Sequence, residues 1–153
     1  MKRLTILFGL SMLTSTACGG GGGKSSDNAP KKASSNSALT LKHSACRTEV
    51  PANLTGIRTA QEAYNAEFDQ YVSIPQNPES LSGDSPVDWP QSAGFEQIGW
   101  NPDGKVRGAY SVTTTRMDFK ITGKIDCDGD GVPAIYTATK SIKAQRSTAE
   151  NVY

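Results

Sequence analysis

The chain has 153 residues, with 16 Lys and Arg against 15 Asp and Glu, and a formal net charge of +1. It has no basic block or stripe, which argues against nucleic acid as a partner. Hydrophobic residues are 36% of the chain and its mean hydropathy is −0.46. Once an export segment is set aside, about 110 residues remain, enough for one small domain that gains from a covalent staple.

The N-terminus is ordered like a secretory signal. Lys2 and Arg3 carry positive charge, Leu4 to Leu13 form an apolar run, and small residues from Thr14 to Ala17 follow. The run is about ten residues, and a membrane-spanning helix needs ~20, so it is not expected to be a retained span. Its end, Ser15-Thr16-Ala17-Cys18, resembles the lipobox of bacterial lipoproteins. That resemblance implies cleavage after residue 17 and a lipid-bearing Cys18. Two or more acyl chains give stable anchoring, at ~0.8 kcal/mol per buried methylene. Gly19 is compatible with outer-membrane sorting, since an Asp-type retention signal is missing there.

Five glycines, Gly19 to Gly23, open a stretch rich in Lys, Ser, Asn and Pro. No core can form from it. Residues 18–45 are therefore expected to be a disordered tether, with a root-mean-square reach of ~28 Å for ~25 residues. A globular domain over 46–143 and a tail over 144–153 complete the division.

The domain is predicted to open with an amphipathic helix from Asn53 to Tyr71. Leu54, Ile57, Ala60, Tyr64, Phe68 and Tyr71 recur three or four apart, which is one stripe of a 3.6-residue period. Pro51 and Asn53 suit its start, and Arg58 and Glu62 can pair on its outer face. Val72 to Gln91 holds four prolines and reads as a loop. Four strands follow: Gly94 to Trp100, Val106 to Thr114, Met117 to Cys127 and Ala134 to Thr139, the first ended by the turn sequence Asn101-Pro102-Asp103-Gly104. Short joins predict an antiparallel meander, hence an α+β domain with the helix packed on a four-stranded sheet.

Ile57-Arg58-Thr59-Ala60-Gln61-Glu62-Ala63-Tyr64, continued by Glu67-Phe68-Asp69-Gln70-Tyr71-Val72, resembles the exposed half of a type IV pilin helix. Ile98-Gly99-Trp100 and Gly108-Ala109-Tyr110-Ser111-Val112 are similar to that family's C-terminal sheet. The likeness covers about residues 53–139 and implies a pilin-head-like fold that works by contact with other proteins. Type IV pilins begin with an apolar half-helix that builds the filament core. Here a lipid-attachment sequence and a tether stand in its place.

Two cysteines remain besides Cys18. Export places Cys46 and Cys127 in an oxidising compartment, where a disulfide is the expected state and a pair of free or catalytic thiols the other reading. A bond would close about 80 residues, worth up to ~4.5 kcal/mol on the chain-entropy account. Asp126, Asp128 and Asp130, spaced i, i+2, i+4 with Gly131 behind them, match the first half of an EF-hand-like calcium loop. Position twelve, normally a bidentate Glu, is Thr137, and a plain Asp-Gly turn is the competing reading.

Catalysis finds little footing. His43 is the only histidine and sits beside the tether; Glu62 and Glu67, five apart, do not share a helix face; no nucleophile elbow or zinc motif occurs. Trp89 and Trp100 read as core or loop anchors before an exposed binding patch. The expectation is a non-catalytic protein held to the membrane by lipid in the cell envelope, with a pilus, secretion or surface protein as partner. The alternative is a calcium- or small-ligand-binding domain without filament ties. Replacing Cys18 by Ser should abolish incorporation of a clickable fatty acid in cells; equal labelling of both proteins would defeat the lipobox assignment.

Overall fold

The structure, a computed structural model, describes residues 35–153; the expected signal 1–17, the expected lipidation site Cys18 and the expected tether up to residue 34 lie outside the described residues. The elements in chain order are α1 (Ser35–Phe68), β1 (Ile74–Asn77), α2 (Ala93–Gln97), β2 (Ala109–Thr114), β3 (Phe119–Ile125), β4 (Ala134–Thr139) and β5 (Gln145–Arg146). The fold class is α+β. The strands form one antiparallel sheet in the order β1-β2-β3-β4-β5, with α1 packed on β3 and β4.

The helix starts well before Asn53. Residues 35–45, read from sequence as tether, belong to α1, and Pro51 lies inside the helix rather than at its start. The reason is burial. Cys46, Val50, Leu54, Ile57 and Gln61 are all fully buried, at spacings of four, four, three and four. Two apolar residues upstream of Pro51 therefore extend the stripe, and tertiary packing outweighs the lost backbone bond. Further along, the buried line runs through Gln61, while Ala60 and Tyr64 are only partly buried and Phe68 is 50% exposed. Gln61 is tolerated in the core because its amide is satisfied: Nε2 donates to the Val72 carbonyl at 2.8 Å and Oε1 accepts from the Val72 N–H at 3.0 Å. Arg58 is directed at the sheet instead of at Glu62. Its Nε and Nη2 donate to the carbonyls of Thr139 (3.0 Å) and Lys140 (2.6 Å).

The sheet has five strands where four were expected, and only three of the expected strands are among them. Gly94 to Trp100 is not a strand. Phe95, buried in the short helix α2, and Ile98, buried at its C-cap, fall three apart as a helix requires, and the buried Trp100 follows only after the chain has turned. The segment then reverses at Gly99 (φ 67°), and the Trp100 N–H donates to the Phe95 carbonyl. β1 arises inside the Pro-rich stretch read as loop, with Ile74 opposite Val112 and Asn77 opposite Tyr110 across an irregular register. Pro75 is admissible there because β1 is an edge strand. β5 lies in the stretch read as tail and pairs Gln145 and Arg146 with Thr137 and Tyr136. β4 keeps its expected bounds. Val106 leaves β2 to bridge Val87, and Met117 sits in the β2–β3 turn, 79% exposed.

The alternation expected in β3 is present: Phe119, Ile121, Ile125 and Cys127 face the core. Gly123 occupies the middle of that face, and α1 crosses it closely. A Cβ built there would lie 2.5 Å from Val50 Cγ1 and 2.6 Å from Leu54 Cδ1. An aromatic group made of Trp89, Phe95, Trp100 and Tyr110 fills the space between α1, α2 and β2, with ring centroids 5.2–5.9 Å apart for Phe95–Trp100, Trp89–Trp100 and Trp100–Tyr110. Both tryptophans are thus packing residues. No helix among the described residues is long and apolar enough to cross a membrane.

The contact at Gly123 yields a test. Gly123→Ala should push α1 off the sheet and lower stability by about 1–3 kcal/mol, the usual range for an overpacked core. In urea denaturation the midpoint should fall with the slope unchanged; an unchanged midpoint would mean that α1 does not lie this close.

Candidate functional site

Asp126 to Pro133 join β3 to β4, and the three aspartates named from sequence meet in this turn. One carboxylate oxygen from each of Asp126, Asp128 and Asp130 lies within 4.8 Å of the others. Gly129 (φ 78°) and Gly131 (φ 85°) alternate with them in a left-handed conformation that side chains rarely adopt, so the backbone coils inward around the acids. Asp126 is 6% exposed and anchors the turn. Its Oδ1 accepts from the Gly129 N–H at 2.7 Å and its Oδ2 from the Gly131 N–H at 3.0 Å. Asp130 Oδ1 accepts from the Val132 N–H at 2.7 Å, while Asp128 and Asp130 face solvent.

The donor set suits a hard cation. Three carboxylates offer oxygen only, and each retains lone pairs beyond the backbone bonds it accepts. The twelfth position contributes nothing. Thr137 lies within β4, and its hydroxyl is 3.1 Å from that of Ser147. The loop therefore closes as a β-hairpin rather than as the helix-flanked loop of an EF-hand. Calcium, if held, would complete its shell with water, which implies weak binding.

Cys46 and Cys127 also come together. Both are buried thiols and they interact directly, Cys46 on α1 and Cys127 just past β3. Burial raises the Cys127 pKa, the Cys46 thiol and the Glu49 charge raise it further, and Arg107 opposes them.

Glu49, three residues along α1 from Cys46, is a polar anchor that sequence reasoning missed. Its Oε1 accepts from the N–H groups of Arg107 (2.8 Å) and Gly108 (2.9 Å) and from the Tyr110 hydroxyl (3.3 Å). The Arg107 guanidinium stands 3.7 Å from Oε2. Asn53 donates to the same Tyr110 hydroxyl at 2.8 Å, and burial followed by the Glu49 charge keeps that phenol protonated. A charge flanking the buried stripe was the available signal. His43, set beside the tether by sequence, lies on α1 and stacks on Tyr153 at 4.5 Å between centroids, with Arg47 4.7 Å from the same ring.

These polar groups are engaged in holding the fold. A depression of about 730 Å³ between β1 and α2 is lined by amides, hydroxyls and one carboxylate, Glu79, and offers no acid–base pair. No protein-family model, curated protein or solved structure matches the chain.

The aspartate turn can be tested directly. Like charges within one turn repel, and a bound cation relieves them. At ten times Kd, a ligand bound only by the folded state contributes ~1.4 kcal/mol, or a rise of ~4–8 °C in the melting midpoint of a domain near 100 residues. Millimolar CaCl₂ against chelator should show this shift for the native protein and not for Asp128→Asn. A shift below one degree, or equal shifts in both, would leave the segment a turn and nothing more.

Proposed function

We propose that this protein is a lipid-anchored component of the bacterial cell envelope whose pilin-like domain works by contact with a pilus, secretion or surface protein and catalyses no reaction. The observation that carries this reading is the arrangement of the domain: one long helix packed on an antiparallel meander, with the edge strand β1 and the short α2 between the helix and strands β2 to β5. A long helix packed on an antiparallel sheet is what the resemblance to a pilin head implies. The chemistry of the polar residues supports it further. Glu49, Arg58 and Gln61 are bound to backbone groups rather than gathered at a cleft.

In this reading Cys18 carries the lipid and the glycine-rich stretch gives the domain reach, so that a partner is met at a variable distance from the membrane. The outer face of α1 is the natural contact surface. Thr55, Thr59, Ala63 and Glu67 are exposed and spaced four apart, opposite the buried stripe. The convergence of Asp126, Asp128 and Asp130 favours a second reading, a calcium-binding domain unrelated to filaments.

A photo-crosslinking residue at Thr59 or Ala63, in cells making the full chain, should give one discrete adduct with an envelope protein of filament or secretion type. The same residue at Glu79, beside the depression near β1, serves as control. Adducts that form equally at all three positions, or none at Thr59 and Ala63, would defeat the assignment of this face.

A further inference from the structure

We propose that a disulfide between Cys46 and Cys127 clamps α1 to the sheet where the helix enters the domain, and that this bond closes before the helix docks. The proposal rests on the proposed function for its oxidising compartment and for the pull on a tethered domain.

Placement is the first argument. From His43 onward, Cys46 is the first residue of α1 with no exposed surface. Four residues later Val50 meets Gly123, and Leu54 meets the same spot. Cys46, one turn before Val50, and Cys127, four residues past Gly123, belong to the same buried cluster, so the earlier turns of α1 lie toward the Cys127 end of β3 and bring the two sulfurs together. β3 is paired on both sides, by β2 and β4. A cross-link here joins the helix to the best-supported strand of the sheet.

The second argument is mechanical. A pull on the chain N-terminal to Cys46 would peel α1 from the sheet one turn at a time, with the contact of Cys46 lost first, then those of Val50 and Leu54. Apolar contacts broken in sequence resist weakly. A covalent bond at the first buried position passes the load beyond these contacts to the end of β3, a strand paired on both sides. A domain tethered to a surface while it grips a partner experiences such a pull.

The third argument is access. Cys46 is fully buried and Cys127 is 2% exposed, so no oxidant reaches either sulfur once α1 is seated. The bond therefore forms while the helix is undocked. A thiolate of one cysteine attacks the disulfide of a donor, either an exported oxidoreductase or glutathione disulfide, and releases one donor thiol. The second cysteine's thiolate then attacks the mixed disulfide and releases the other. Two electrons and two protons leave the protein and the donor ends fully reduced. Seated α1 then shields the bond from reductants equally well.

Tryptic digestion without reductant of the full chain purified from exporting cells should yield residues 43–47 linked to residues 125–140. Two thiols that alkylate in denaturant would overturn the bond. The timing is read separately in vitro, whatever the anchor proves to be. Reduced, unfolded full chain refolded with glutathione disulfide should oxidise at least ~10-fold faster than chain refolded first and oxidised afterwards; equal rates would overturn the order of events. Oxidised protein should melt up to about 20 °C above the same protein kept reduced, in line with a long closed loop. Coincident melts would show that the bond clamps nothing.

Discussion

The close approach of α1 to β3 over Gly123 is the constraint on which the rest of the domain depends. A side chain at that position would collide with Val50 and Leu54, so its absence lets the helix settle onto the sheet and bury an unbroken line from Cys46 to Gln61. Interiors pack near crystal density, so that seat also sets where every neighbouring group lies. It delivers Glu49 to the backbone of Arg107 and Gly108, Gln61 to the backbone of Val72, and Cys46 to Cys127.

These three contacts share a logic. Each places a polar or reactive side chain of α1 where a backbone group or a sulfur would otherwise lie buried without a partner. Gln61 supplies a donor and an acceptor to the chain that leads into β1, taking the place of a neighbouring strand. Glu49 gathers two N–H groups and a hydroxyl at the entrance to β2. Burying such groups is costly unless they are bonded, so the contacts fix one seating of the helix among those that apolar matching alone would allow. The helix gains one defined orientation on the sheet.

The aspartate turn and the cysteine pair stand at one end of this assembly and are linked through the chain, since Cys127 lies between Asp126 and Asp128. The backbone bonds to Asp126 hold the turn against the end of β3, while Asp128 and Asp130 point outward. Any tightening of the cysteine pair is transmitted to the turn through a single peptide unit on each side.

Much of this was legible in the residues. The alternation through β3, the bounds of β4 and the turn chemistry of Asp126 to Gly131 follow from period-two patterning and from Asp and Gly preferences, which act over a few residues. The helix was recognised by its period but begun too late, because Pro51 is a local stop signal and only the sheet beneath shows that Cys46 and Val50 are buried. α2 was taken for a strand because five residues hold too little periodicity to separate the two. β1 and β5 escaped because short edge strands are defined by their partners rather than by their own composition. Sequence by itself determined the class, the turns that join β2, β3 and β4, and the gathering of Asp126, Asp128 and Asp130 in one of them. Tertiary structure alone decided that a glutamine belongs to the core, that a glycine is the helix's seat and that Glu49 is an anchor, because each of these is a relation between residues distant in sequence.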